Sequence, residues 1–293
     1  MTGELGSLTA QFAPVGLDAL DALQLRTDRK YLADLETFER ITRLLVPDYL
    51  ALDIDGERVF RYDTVYFDTP ELTTYHQHLQ GRRRRFKCRT RLYADGGLCY
   101  FEVKLRGGRG ETVKRRLEVD PADHGRMTEP ALAFLEDELR GAYGASAPSD
   151  LIPVLRTAYS RLTLSGPASA ERLTCDFELA FAASSGDEYR IQPGRVLLET
   201  KSRSGNGPAD RMLRRLGVRP VGSCSKYCLG VALAHPGVRD NEWRRLLRDH
   251  FDPVRYARPL APPVTARTAA AAPERTLVPQ WSGGDVAPEA LPA

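Results

Sequence analysis

From Lys87 to Arg116 the sequence sets basic side chains at every second position of successive β-type runs. These are Lys87, Arg89 and Arg91 in KCRTRLY, Lys104 and Arg106 in FEVKLR, and Lys114 and Arg116 in TVKRRLEV. Alternate residues of a strand share a face. The cations therefore line one side, and Cys88, Thr90 and Leu92, then Phe101, Val103 and Leu105, line the other. Glu102 and Glu118 fall on the charged side, and the same alternation returns for Arg172, Asp176 and Glu178 in RLTCDFEL and for Glu199 and Lys201 in VLLETK.

Guanidinium forks bind phosphate oxygens in pairs. Like charges facing each other across strands are unfavourable, a close pair costing on the order of 4 kcal/mol at an effective dielectric of about 20. The rows predict a bound polyanion between them. An ordinary wet face would mix Thr, Ser and Gln with both charge signs. An open saddle for single-stranded nucleic acid would need stacking aromatics; Tyr93, Tyr100 and Phe101 are candidates, yet Phe101 lies on the apolar side. His76 and His78 in YHQHL lack a third ligand for a metal.

Several elements must position these rows. Asp95-Gly96-Gly97 is a turn signal between two strands, which predicts a hairpin. Asp34 is a good N-cap for a helix over 34–45, whose stripe is Leu35, Phe38, Ile41 and Leu45 and which Pro47 stops. RVFRYDTVYFDT reads as one or two strands, and Thr69-Pro70 leads into a short helix ending near Gly81. Pro130 opens a helix over EPALAFLEDELR, after which strands resume at TAYSRLTL. Helices follow over 208–216, SKYCLGVAL and NEWRRLLRDHF. The fold expected is α+β: an antiparallel sheet that closes into a barrel around the anion, with helices packed outside.

The chain has 293 residues, with 42 basic and 39 acidic side chains and a net charge of only +3, so the positive charge is local. That argues against a protein that coats nucleic acid. Five cysteines without CxxC spacing read as reduced core thiols, which, with no recognisable signal peptide, points to the cytoplasm. No run approaches the roughly 20 apolar residues of a membrane span, so membrane attachment would require a partner. The expected organisation is a flexible N-terminus over 1–20, one domain over 21–257 and a disordered Ala/Pro-rich tail over 258–293.

The segments TVYFDTP, KCRTRLY with FEVKLR, TVKRRLEV, AYSRLTL, RLTCDFEL, LLETK and CSKYCLG stand in an order and spacing that resembles a VTC-type polyphosphate polymerase domain, a branch of the triphosphate tunnel metalloenzymes. The resemblance implies an antiparallel barrel of about eight strands enclosing a basic tunnel. It implies that Lys30 reaches in near one mouth and that Arg89, Arg91, Lys104, Lys114, Arg161 and Lys226 act on the transferring phosphate. Lys87, Arg116, Tyr159, Arg172, Lys201 and Ser225 would add phosphate contacts. Glu199 would hold Mn²⁺ or Mg²⁺, and Glu102, Glu118, Asp176 and Glu178 would serve either as further ligands or as salt-bridge partners of the tunnel cations.

The partners so implied are ATP and inorganic polyphosphate, with the ATP γ-phosphoryl group passing to the polymer end. A tunnel triphosphatase and a non-catalytic polyphosphate or inositol-phosphate binding module are the alternatives. The hydrolase branch often carries ExExK on its first strand, whereas this chain carries Arg26-Thr27-Asp28-Arg29-Lys30. Without the membrane segments and phosphate-sensing domain of eukaryotic VTC assemblies, the chain resembles a stand-alone bacterial form.

Overall fold

The computed structural model describes residues 2–20, 27–107, 112–167, 171–183, 186–222 and 224–252. In chain order the elements are α1 (Thr2–Thr9), β1 (Ala13–Val15), β2 (Thr27–Asp34), α2 (Leu35–Leu45), β3 (Leu50–Leu52), β4 (Val59–Asp68), α3 (Thr73–Leu79), β5 (Phe86–Tyr93), β6 (Leu98–Arg106) and β7 (Thr112–Val119). They continue with α4 (Glu129–Tyr143), β8 (Ile152–Ser165), β9 (Glu171–Ala183), β10 (Glu188–Ile191), β11 (Arg195–Ser202), α5 (Pro208–Arg215), α6 (Lys226–Ala234), α7 (Arg244–His250) and β12 (Phe251–Asp252). Local signals explain several boundaries. The Asp34 carboxylate accepts a 2.8 Å bond from Thr37 N at the start of α2. Thr128 caps α4, and Gly144 ends it at φ 62°.

Antiparallel pairing runs β7-β6-β5-β4-β8-β9-β11-β2. Its register stacks Lys87, Lys104 and Lys114 in one row and Arg89, Glu102 and Arg116 in the next. On the far side Lys30, Glu199 and Thr174 form a row, followed by Asp28, Lys201 and Arg172. All of these belong to one concave face. The expected closure is only partial, because β2 and β7, the ends of the path, do not hydrogen-bond to each other among the described residues. The free edge of β2 is met instead by the segment before α6, where Val221 N donates to Lys30 O at 2.8 Å.

The convex face is apolar and needs cover. Helices α2 and α5 pack over β2, β8, β9 and β11 through Phe38, Ile41, Leu45, Ala209 and Leu213. Helix α4 covers β5 and β6, where Leu135 and Leu139 meet Phe101 and Val103. Helix α6 is different. On β2 and β11 the concave face changes from Lys30 and Glu199 to Leu32 and Leu197 two residues away, and these share a cluster with Tyr227, Leu229 and Val231 of α6. The helix therefore stoppers one end of the concave face. It is held there by Asp68, which accepts from Thr74 N at 2.9 Å and Tyr75 N at 3.0 Å and also receives the Tyr227 hydroxyl.

Two expectations are corrected. The segment expected to be a flexible N-terminus is packed around residues 8–12: Leu8 and Phe12 are buried among Phe38 and Ile41, and Arg58 Nη1 donates to Thr9 O at 2.7 Å and Phe12 O at 2.9 Å. Glu178 does not follow Asp176 inward. The β8–β9 register shifts beside it and its φ is 53°, so the bulge turns it out to solvent. The tail over 258–293 lies outside the described residues.

Gly230 lets α6 approach the sheet closely, since a Cβ there would come within 2.6 Å of Phe181 Cδ1 and nearer still to Leu155. Gly230→Ala is expected to destabilise by about 1–3 kcal/mol through overpacking and to weaken phosphate binding by displacing Ser225 and Lys226. A melting temperature and tripolyphosphate affinity equal to the parent's would refute the stopper role.

Candidate functional site

The concave face is built around three carboxylates. Glu102, on β6, is fully buried and serves three cations from two neighbouring strands. Arg89 Nε donates to its Oε2 at 2.7 Å, Arg91 Nη1 stands 3.6 Å from the same oxygen, and Lys114 pairs with Oε1. Asp176, on β9, receives Arg161 bidentately at 2.6 and 2.9 Å and also pairs with Lys226 from α6. Glu199, on β11, is held more loosely, 3.6 Å from Lys30 and 3.5 Å from Lys201.

Burial would raise each of these acids, yet the cations win. Arg91, Arg89 and Lys114 hold Glu102 well below the usual carboxylate range. Lys201 and Lys30 do the same for Glu199, and Arg161 and Lys226 bring Asp176 down to about 2.

The remaining cations stand beside aromatic rings and hydroxyls. Arg89 Nη1 donates to the Tyr66 hydroxyl at 2.9 Å, and Arg91 Nε donates to Thr64 Oγ1 at 3.3 Å. Arg161 lies 5.1 Å from the Tyr159 ring centre, and Lys226 lies 4.5 Å from it. Arg116 stacks on Tyr100 at 4.7 Å. Lys87 Nζ donates to Ser225 Oγ at 2.7 Å, which ties β5 to the start of α6. Lys104 stands between Lys87 and Lys114 in its row. Burial, with Arg89 and Lys114 close by, pushes its pKa well below the ordinary lysine value. The buried Tyr159 hydroxyl has no hydrogen-bond partner among the described residues, so a donor remains available on the concave face.

The sequence-predicted cations thus share one face: Lys30, Lys87, Arg89, Arg91, Lys104, Lys114, Arg116, Arg161, Arg172, Lys201 and Lys226. Ser225 and Tyr159 join them. The acids divide. Glu102 and Asp176 stand as salt-bridge partners of the cations, one of the two readings expected for them, and Glu118 is exposed on edge strand β7 opposite Tyr100. Tyr62, Thr64 and Tyr66 on β4 were not foreseen as lining residues. Their signal was the alternation of YDTVYF, opposite Arg91 and Arg89 on β5.

Families of known proteins were compared with the chain, and the VTC domain matches residues 25–235. The chain belongs to the VTC domain family. No curated protein matches it. Among solved structures, a candidate adenylate cyclase from Bacillus halodurans is 18% identical, with 69% of this chain and 95% of that one covered at TM-score 0.45. A candidate adenylyl cyclase from Hippeastrum, described as having a dominant triphosphatase activity, is 13% identical, with 73% and 98% covered at TM-score 0.47. PH1012 from Pyrococcus horikoshii is 14% identical, with 67% and 92% covered at TM-score 0.37. In this VTC domain no group of three or more His, Cys, Asp or Glu side chains is placed to cage a metal among the described residues. Of the three carboxylates Glu102, Asp176 and Glu199, the last keeps long ion pairs that a cation could replace. That donor set suits Mg²⁺ or Mn²⁺, which take one or two carboxylates and draw their other oxygens from phosphate and water.

Glu102→Gln is expected to cost about 3–5 kcal/mol at neutral pH, because it removes the shared counter-ion of three tunnel cations. Arg91→Ala, which removes one of those cations, should cost much less. Asp176→Asn should be destabilising at pH 7. Its deficit should narrow as pH falls below the ordinary 3.8 toward about 2, since a depressed carboxylate contributes above its unfolded pKa and loses that contribution on protonation. Thermal melts across pH test all three, and equal losses for Glu102→Gln and Arg91→Ala would contradict the counter-ion assignment.

Proposed function

We propose that this VTC domain is an ATP-dependent polyphosphate polymerase. One observation carries the reading: a long cationic face, contributed by β2, β5 to β9, β11 and α6, holds Glu102 and Asp176 in close ion pairs but leaves Glu199 at 3.6 and 3.5 Å from its two lysines. A linear polyanion can displace long ion pairs along such a face and run across several rows. Hydrolysis would call for a carboxylate that orients water beside the phosphate. Glu102 and Asp176 are each held by cations, Glu199 is the carboxylate assigned to the metal, and β2 presents Asp28 and Lys30 in place of a pair of acids.

In the proposed reaction a terminal oxygen of the polyphosphate attacks the γ-phosphorus of ATP. The bond from that phosphorus to the β-γ bridging oxygen breaks, and ADP leaves with the electron pair. The attacking oxygen is already ionised at neutral pH, so no base is required. Arg89, Arg91 and Arg161 hold the equatorial oxygens, Lys104 and Lys114 balance charge on the departing side, and the Tyr159 hydroxyl donates to a phosphate oxygen. Positioning and electrostatics supply most of the rate in such transfers. Mn²⁺ or Mg²⁺ at Glu199 would neutralise charge on the phosphates when bound. Lys226 and Ser225 fix the stopper end, and Tyr62, Tyr93 and Tyr100, ring to ring at 5.0 and 6.0 Å at the opposite end, offer a face on which adenine can stack.

Purified protein incubated with γ-labelled ATP and Mn²⁺ should yield long labelled polymer, lost in Arg89→Ala and Arg91→Ala. Free phosphate without polymer would identify a triphosphatase, and neither product would leave a binding module.

A further inference from the structure

The run Arg82–Arg85 takes no part in the tunnel, and its position gives it a different use. Arg83 and Arg84 are exposed and, among the described residues, have no carboxylate partner. They wall a surface cleft of about 960 Å³ together with Arg106 and Arg115. Among the described residues its acidic members are Asp137 and Glu138 of α4, and Glu138 is drawn to Arg115 at 3.7 Å. Arg84 also borders a second hollow of about 590 Å³, which it shares with Arg82. The walls are fixed. The Tyr143 hydroxyl accepts from Arg106 N at 2.8 Å and lies 2.7 Å from Arg85 O, so α4 ties the end of β6 to the start of β5.

The cleft and the tunnel share strand β6. Arg106 follows Lys104 by two residues on the same face, beyond the row Lys87, Lys104 and Lys114, and it also lines the cleft, whose Leu105, Val113 and Arg115 belong to the opposite, outer face. Helix α6 packs mainly on β8 and β9, so a chain of phosphates held by that row can pass beside the stopper, over the ends of β6 and β7, and meet guanidinium groups on the outside of the strands. We propose that this cleft is an outer polyphosphate-binding site that holds the stretch of polymer lying beyond the tunnel; this rests on the polymerase reading and extends it. Arginine forks at successive positions suit a flexible polymer with charge on every unit. Single-stranded nucleic acid fits less well, because it favours exposed rings to stack on and the cleft's one ring, Tyr143, is fastened by its hydroxyl to the backbone.

The test compares the full chain with Arg83→Gln/Arg84→Gln, at exposed positions outside the tunnel, by calorimetric titration with tripolyphosphate, long-chain polyphosphate and a single-stranded oligonucleotide at two salt concentrations. The parent should bind the long polymer more tightly than tripolyphosphate. The variant should keep its melting temperature and its tripolyphosphate affinity and lose about tenfold for the long polymer, with a salt slope shallower by about 1.4, near 0.7 for each phosphate contact removed. Undiminished affinity of the variant for the long polymer overturns the outer site, as does equal binding of both phosphates by the parent. An oligonucleotide that binds the parent as tightly as polyphosphate and loses the same factor in the variant overturns the assignment to polyphosphate. A parent that binds neither phosphate refutes the polymerase reading itself.

Discussion

Cations on neighbouring strands can be buried together only if something negative stands between them. In this protein Glu102 does so for β5 to β7, Asp176 for β8, β9 and α6, and Glu199 for β2 and β11. Breaking such a group out of its partners is expensive because the remaining charges stay buried. The register follows from this need. A slip of one residue on β6 would point Glu102 into the apolar layer beneath α4 and Phe101 toward the cations. The same acid–base contact that organises the strands also docks α6, since Lys226 reaches Asp176 from the stopper end.

These counter-ions are unequal. Glu102 and Asp176 make short or bidentate contacts, whereas Glu199 is more than 3.4 Å from both of its lysines. In the proposed reaction this looser contact is where a phosphate chain would draw Lys30 away and a divalent cation would take the carboxylate. The difference in contact length separates the carboxylates that the protein's own cations hold closely from the one they hold loosely. The Tyr159 hydroxyl is buried without a hydrogen-bond partner among the described residues.

Much of this was legible in the sequence. Two-residue spacing placed Lys87, Arg89, Arg91, Lys104, Lys114 and Glu199 on one face, and the pairings bear that out. Caps and stops located α2, α4 and α5. Three features depended on distant contacts and so escaped. The burial of Leu8 and Phe12 needs α2 beside them, the outward turn of Glu178 comes from a bulge against β8, and the open seam between β2 and β7 depends on Val221 meeting the β2 edge. The sequence also overstated the need for a bound anion, because spacing does not reveal that one carboxylate can serve three cations on two neighbouring strands.

The central claim is that this concave face is a site for linked phosphates and that its cations are only partly satisfied by the protein itself. The melting temperature of the full chain with and without tripolyphosphate tests it most directly. Preferential binding to the folded state should raise that temperature in proportion to the logarithm of ligand concentration, about 2.7 kcal/mol of stabilisation at one hundred times the dissociation constant. An unchanged melting temperature at saturating tripolyphosphate would contradict the account.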